Sequence, residues 1–197
     1  KEDYEAAQKL HLKSGGKVAY LANDDTNCCF AIGFRTLPED STGVCHIIEH
    51  SVLCGSKRFP LKEPFVNLIK RYPEVLKVIP TFLNAFTAYD WTMYPFSSQT
   101  PKDFHNILEI YLDAVFNPIS MENEKPFLQE GWHLELNDVN DTPSYKGVVY
   151  NEMKGAMSSV DEVLVQSTLE AMYKDTFYRF NSGGDPEVIP TLTYQAY

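Results

Sequence analysis

Ser41-Thr42-Gly43-Val44-Cys45-His46-Ile47-Ile48-Glu49-His50-Ser51-Val52-Leu53-Cys54-Gly55-Ser56 is the stretch on which the reading of this chain turns. Ser41 or Thr42 offers a side-chain oxygen to start a helix and Gly55 offers a stop, so a helix is expected from about Val44 to Leu53. At about 100° per residue, His46, Glu49 and His50 fall within roughly a 100° arc of that helix. Ile47 and Ile48 flank them with apolar bulk, so the helix is expected to be partly buried, and its polar set then needs partners. Two imidazoles one turn apart can hold one zinc ion. A carboxylate beside the second can take a proton from a water molecule that attacks a peptide carbonyl. With five His and fifteen Glu in 197 positions, chance would produce this spacing roughly 0.01 times. A set of merely solvated histidines is therefore the weaker reading. Catalytic zinc takes three protein ligands, and the third must come from elsewhere. The residues alone do not choose it among the remaining acids.

Outward from this helix the chain alternates strand-like and helical runs. Upstream, Lys17 to Leu21 and Cys28 to Thr36 read as strands around the turn residues Asn23-Asp24-Asp25. Downstream, Thr81 to Ala88 and Thr92 to Ser98 read as two more, with Tyr89-Asp90 at the bend. A second helix follows, with Thr100 as cap, Pro101 at its first position and Phe104, Ile107, Leu108, Tyr111, Leu112 and Val115 at helical spacing until Pro118 ends it. Met121 to Gly131 and Asp161 to Lys174 are expected to be helical, and Asn181 to Pro186 irregular. Thr191-Leu192-Thr193 reads as a helix start that Tyr197 interrupts. The pattern predicts an α+β fold, a two-layer sandwich of a mainly antiparallel sheet with helices packed on one face. Residues 1–197 read as one domain that is cut rather than finished.

Composition narrows the partners. A formal net charge of −10 argues against nucleic acid, whose phosphates need clustered Lys and Arg. No apolar run reaches the length of a membrane span. Cys28, Cys29, Cys45 and Cys54 contain no Cys-x-x-Cys pair, and they read as reduced, mostly buried thiols of an intracellular protein. His105 is expected on the polar side of its helix, and His11 and His133 have no ligand-like spacing.

The stretch from Ser41 to Ser56 resembles the inverted zinc motif of the pitrilysin–insulysin superfamily, in particular its presequence-protease and falcilysin branch. Further blocks match in order: Glu63-Pro64-Phe65, Thr81 to Thr87, Asp103-Phe104, Tyr111 to Phe116, Gly147 to Gly155 and Asn181 to Pro186. The resemblance implies a zinc endopeptidase acting on short unfolded peptides such as cleaved targeting sequences. His46, His50 and Glu152 would be the metal ligands and Glu49 the base. It implies that the Thr81–Thr87 strand, with Asn84 and Ala85, pairs with an extended peptide substrate along an open sheet edge. It also implies an organellar compartment, mitochondrion or plastid, and a second half of the polypeptide that closes a chamber and stabilises the transition state. This chain alone is thus expected to be weakly active or inactive.

Arg71 to Pro80 departs from the family pattern and reads as an insertion just before the substrate strand. Two rival readings are a non-catalytic structural relative and a processing-peptidase subunit. The intact set of His46, Glu49, His50 and Glu152 weighs against the first, and the Asn-Glu-Met-Lys-Gly and Leu-Cys-Gly-Ser runs weigh against the second.

Overall fold

The computed structural model of the chain describes residues 5–11, 13–60, 80–136 and 138–197. Glu63-Pro64-Phe65 and the insertion at Arg71–Pro80, except Pro80 itself, lie outside the described residues. Among the described residues the architecture is mixed α and β, with antiparallel sheets and five α-helices. A hairpin of β1 (Glu5–Leu10) and β2 (Lys17–Ala22) opens the chain. The main sheet is built from β3 (Cys28–Phe34), β4 (Phe82–Leu83), β5 (Phe86–Thr87) and β6 (Thr92–Ser98), with β6 central between β3 and the β4–β5 segment. Helix α1 spans Val44–Val52 and α2 spans Pro101–Phe116. Then come α3 (Glu124–Glu130), the hairpin of β7 (His133–Glu135) and β8 (Ser144–Lys146), α4 (Val148–Ala156) and α5 (Val160–Met172).

Strand alternation decides which face of the sheet is covered. Phe30, Ile32, Tyr94 and Phe96 share one face through the registers Phe30↔Phe96 and Ile32↔Tyr94. Against that face pack Val52 and Leu53 at the end of α1 and Ile107, Tyr111 and Ala114 of α2. The apolar period of α2 was visible in the sequence, and it delivers this face. A second core lies on the other flank of α1. Ile47 packs there with Phe127 of α3, Val149 and Tyr150 of α4, and Ile189 and Leu192. Each such buried side chain contributes roughly 1.5–3 kcal/mol. Those contacts press α3 and α4 against α1.

Several sequence expectations need correction. The Thr81–Ala88 run is two short strands in one continuous register, Leu83↔Phe96 and Phe86↔Met93, with the ladder lost at Asn84-Ala85. The cause sits across the ladder. Asn84 N–H donates to Pro95 O (3.2 Å), but Pro95 has no N–H to return the bond. Helix α1 starts at neither Ser41 nor Thr42. Its cap is Gly43 at φ 70°, without a side-chain cap bond. The Thr42 hydroxyl is turned to Asp40 (2.6 Å) and the Ser41 hydroxyl accepts the N–H of Asn181 (3.1 Å). Thr100 does sit at the α2 cap, although its side chain makes no cap bond there.

Met121–Gly131 is a 3-10 turn at Ile119–Met121 followed by the shorter α3, capped by Asn123. Near the C-terminus a 3-10 turn spans Ile189–Thr191, and Thr193 O then accepts the N–H groups of Ala196 and Tyr197. Strands β1, β7 and β8 were not foreseen. All four cysteines are free. Cys28 and Cys29, at the start of β3, are exposed rather than buried; among the described residues β3 pairs only with β6. Among the described residues no helix is long and apolar enough to cross a membrane.

Candidate active site

His46 and Glu49 are buried on α1, and His50 is half-buried one turn beyond His46. Each is held by a different part of the chain. His46 Nδ1 donates to the carbonyl oxygen of Gly183 (2.9 Å), in the irregular loop the sequence placed at Asn181–Pro186. That loop comes close only because residue 43 is glycine. A Cβ there would stand 2.7 Å from Gly183 O, and φ of 70° disfavours any other residue. His50 Nδ1 meets Glu130 Oε2 at 3.2 Å. Glu49 Oε2 accepts the hydroxyl of Thr87 at 2.7 Å. The Thr87 hydroxyl is itself 3.4 Å from that of Thr92, which pairs with Thr36 at 2.8 Å.

With both Nδ1 atoms engaged, the two Nε2 lone pairs are left for a shared ligand. They converge on Glu152 of α4. Glu152 Oε2 lies 3.9 Å from His46 Nε2 and 3.8 Å from His50 Nε2. One ligand atom from each of the three lies within 4.8 Å of the others. Ligand atoms about 2.0–2.1 Å from a tetrahedral zinc stand roughly 3.4 Å apart, so a small closure of this triangle would suit the ion. Two imidazoles and one carboxylate are a donor set that suits zinc. The approach of α4 depends on Gly147 at φ 148°, where a Cβ would collide with Gly131 O at 2.1 Å.

Electrostatics fit a cation site. Burial works against protonation of His50. The hydrogen bond to Glu130 and the charges of Glu49, Glu130 and Glu152 outweigh it, so its pKa lies above the usual histidine value. Cys54, which flanks the motif, is no thiolate. Burial first, then the charge of Glu130 and its hydrogen bond, push its pKa far up. Burial likewise raises Cys45.

All six residues singled out from the sequence, His46, Glu49, His50, Asn84, Ala85 and Glu152, line one cavity of about 430 Å³. Along β4–β5, residues whose main chain faces β6 alternate with residues whose main chain faces away. Asn84 bonds to β6, so Leu83, Ala85 and Thr87 turn their N–H and C=O groups to the other edge, beside the cavity, where no strand pairs with them among the described residues. His105, His11 and His133 take no part. Their Nδ1 atoms sit on Pro101 O, Ser14 Oγ and Leu128 O. Sequence reasoning missed Glu130 and Thr87. The signal for Glu130 was its place three residues after Phe127, on a helix face that is otherwise apolar.

The site and its frame define a class, an α+β domain whose central helix carries an inverted His-x-x-Glu-His set facing the β4–β5 segment across one cavity. The sequence pattern of the insulinase family (Peptidase family M16) matches residues 26–176, and the chain belongs to that family. It is 50% identical over 187 residues to "Protein HypA" of Clostridium perfringens, covering 95% of this chain and 19% of that protein. It is 49% identical to "Presequence protease 1, chloroplastic/mitochondrial" of Arabidopsis thaliana, covering 95% of this chain and 17% of that protein. It is 45% identical to "Presequence protease, mitochondrial" of Mus musculus, over 96% and 18%. The chain therefore spans less than a fifth of the length of these relatives.

Proposed function

We propose that residues 1–197 form the zinc-binding domain of a metalloendopeptidase that hydrolyses short unfolded peptides, cleaved targeting presequences among them. The observation that carries this reading is the convergence of His46 Nε2, His50 Nε2 and Glu152 Oε2 beside a buried Glu49. Those three residues would hold one zinc ion, which lowers the pKa of a water molecule to about 7 and polarises a carbonyl.

The chain's own residues supply the rest. The open main-chain groups at Ala85, with Asn84 beside them, take an extended peptide as an added strand, whatever its side chains. Glu49, its carboxylate turned by the Thr87 hydroxyl, takes the proton of the attacking water. It then returns that proton to the leaving amine as the C–N bond breaks. The relatives' names support both the presequence substrate and a mitochondrial or plastid address. The intact base and ligand set favours a catalytic domain over a structural relative. A second half of the polypeptide would close the chamber and add the remaining transition-state contacts.

The test is cleavage of unfolded peptides by a longer polypeptide that carries this domain, wild type beside Glu49→Gln. Cleavage is expected in the wild type and lost in the variant at unchanged zinc content. Equal cleavage by both would sink the role of Glu49. Robust cleavage by the 197-residue chain alone would overturn the need for a second half.

A further inference from the structure

Glu130 belongs to none of the motif blocks, yet its carboxylate is 3% exposed and both its oxygens are engaged at the site. Oε2 faces His50 Nδ1 at 3.2 Å. Oε1 accepts the side-chain amide of Gln129 at 2.9 Å and the thiol of Cys54 at 3.6 Å. The same thiol also lies 3.6 Å from the carbonyl oxygen of His50. A buried carboxylate held on one side by the Gln129 amide is a fixed acceptor for the imidazole N–H on the other. His46 has only a backbone carbonyl in the same position, and no substitution can remove it.

From this geometry we propose that Glu130 is a positioning residue. It keeps the proton of neutral His50 on Nδ1, aims Nε2 at the metal and raises the basicity of that nitrogen. The inference rests on the zinc reading above and deepens it. Glu130 touches neither metal nor substrate and acts through His50 alone. The fold places it there because Phe127 anchors α3 in the second core, and the next helical turn brings Glu130 under α1.

Glu130→Gln tests the role at nearly constant shape. The amide oxygen of the new side chain stays with the Gln129 donor, so its NH₂ group meets His50 Nδ1. The imidazole proton must then move to Nε2, where it competes with metal. Zinc affinity measured by chelator competition is expected to fall about 10- to 100-fold. Thermal unfolding of the metal-free chain serves as the control for folding.

The second readout needs no variant and no activity. Two-bond ¹H–¹⁵N correlation spectra of the metal-free wild type, taken about two units above the ordinary histidine pKa of ~6.5, report which ring nitrogen of His50 carries the proton. A protonated Nδ1 is expected. A protonated Nε2 in the wild type, or unchanged zinc affinity in Glu130→Gln, would overturn the proposal. A wild type that takes up no zinc at all would instead overturn the metal reading on which it rests.

Discussion

Helices α1 and α4 meet at the same cavity but arrive there differently. Every polar group that α1 sends to the site already has a partner: His46 the carbonyl of Gly183, Glu49 the hydroxyl of Thr87, His50 the carboxylate of Glu130. Glu152 on α4 keeps 54% of its side chain exposed, and the two imidazoles it faces are still 3.8–3.9 Å away. The difference teaches that the α1 half of the site is set by folding, whereas on the proposed zinc reading the Glu152 half would be drawn in by the cation. Substitutions around α1 should thus disturb the metal-free protein. A substitution at Glu152 should be felt only when metal is present.

The largest expected effect is on chemistry rather than assembly. In an active, longer polypeptide, Glu49→Gln is expected to lower kcat/KM about 10²- to 10⁴-fold, with zinc retained. Loss of zinc in that variant would break the separation between base and ligands.

The next effect is on pH. A histidine binds metal only when deprotonated, and the pKa of His50 lies above the usual value. Zinc affinity should therefore still be rising as pH increases above ~6.5, by about tenfold per unit from this proton alone until its pKa is passed. The metal-free fold behaves oppositely. A raised folded-state pKa contributes stability that is full below the unfolded value and is lost as pH rises through the folded one. The gain in Tm on adding zinc should accordingly be greater at about pH 8 than at about pH 6. An equal gain at both would contradict the environment assigned to His50.

Gly43→Ala attacks the preset side directly. It forces a Cβ toward Gly183 O at a positive φ, and is expected to destabilise the metal-free chain by about 1–3 kcal/mol in denaturant unfolding. The smallest expected effect is that of Thr87→Val. It removes the hydroxyl from Glu49, and about 1 kcal/mol should be lost from transition-state stabilisation, roughly a fivefold fall in kcat. Thr87→Ser should restore most of it.

The same contrast explains how much could be read from the sequence. The motif on α1 and the apolar stripe of α2 are local patterns, so helix, buried face and three of the four proposed site residues could be singled out from spacing alone. Glu152 was not. It is one acid among many on a short helix, and it reaches the site only because the second core packs α4 against α1. A family resemblance, rather than periodicity, singled it out. The break at Asn84-Ala85 was written in Pro95, which carried no meaning until β6 was seen to be the central strand. Strands β7 and β8 are three residues each and too short to show a period. Glu130 lay on an apolar helix face, where an acid should have drawn notice.

The measurement closest to the central claim is zinc content of the purified chain, wild type beside Glu152→Gln, each with a metal-free unfolding curve. About one zinc per wild-type chain and none in the variant, with metal-free curves within about 0.5 kcal/mol of each other, is the predicted result. Zinc retained by Glu152→Gln at the wild-type level, or no zinc in the wild type under conditions that do not strip metal, would contradict the account.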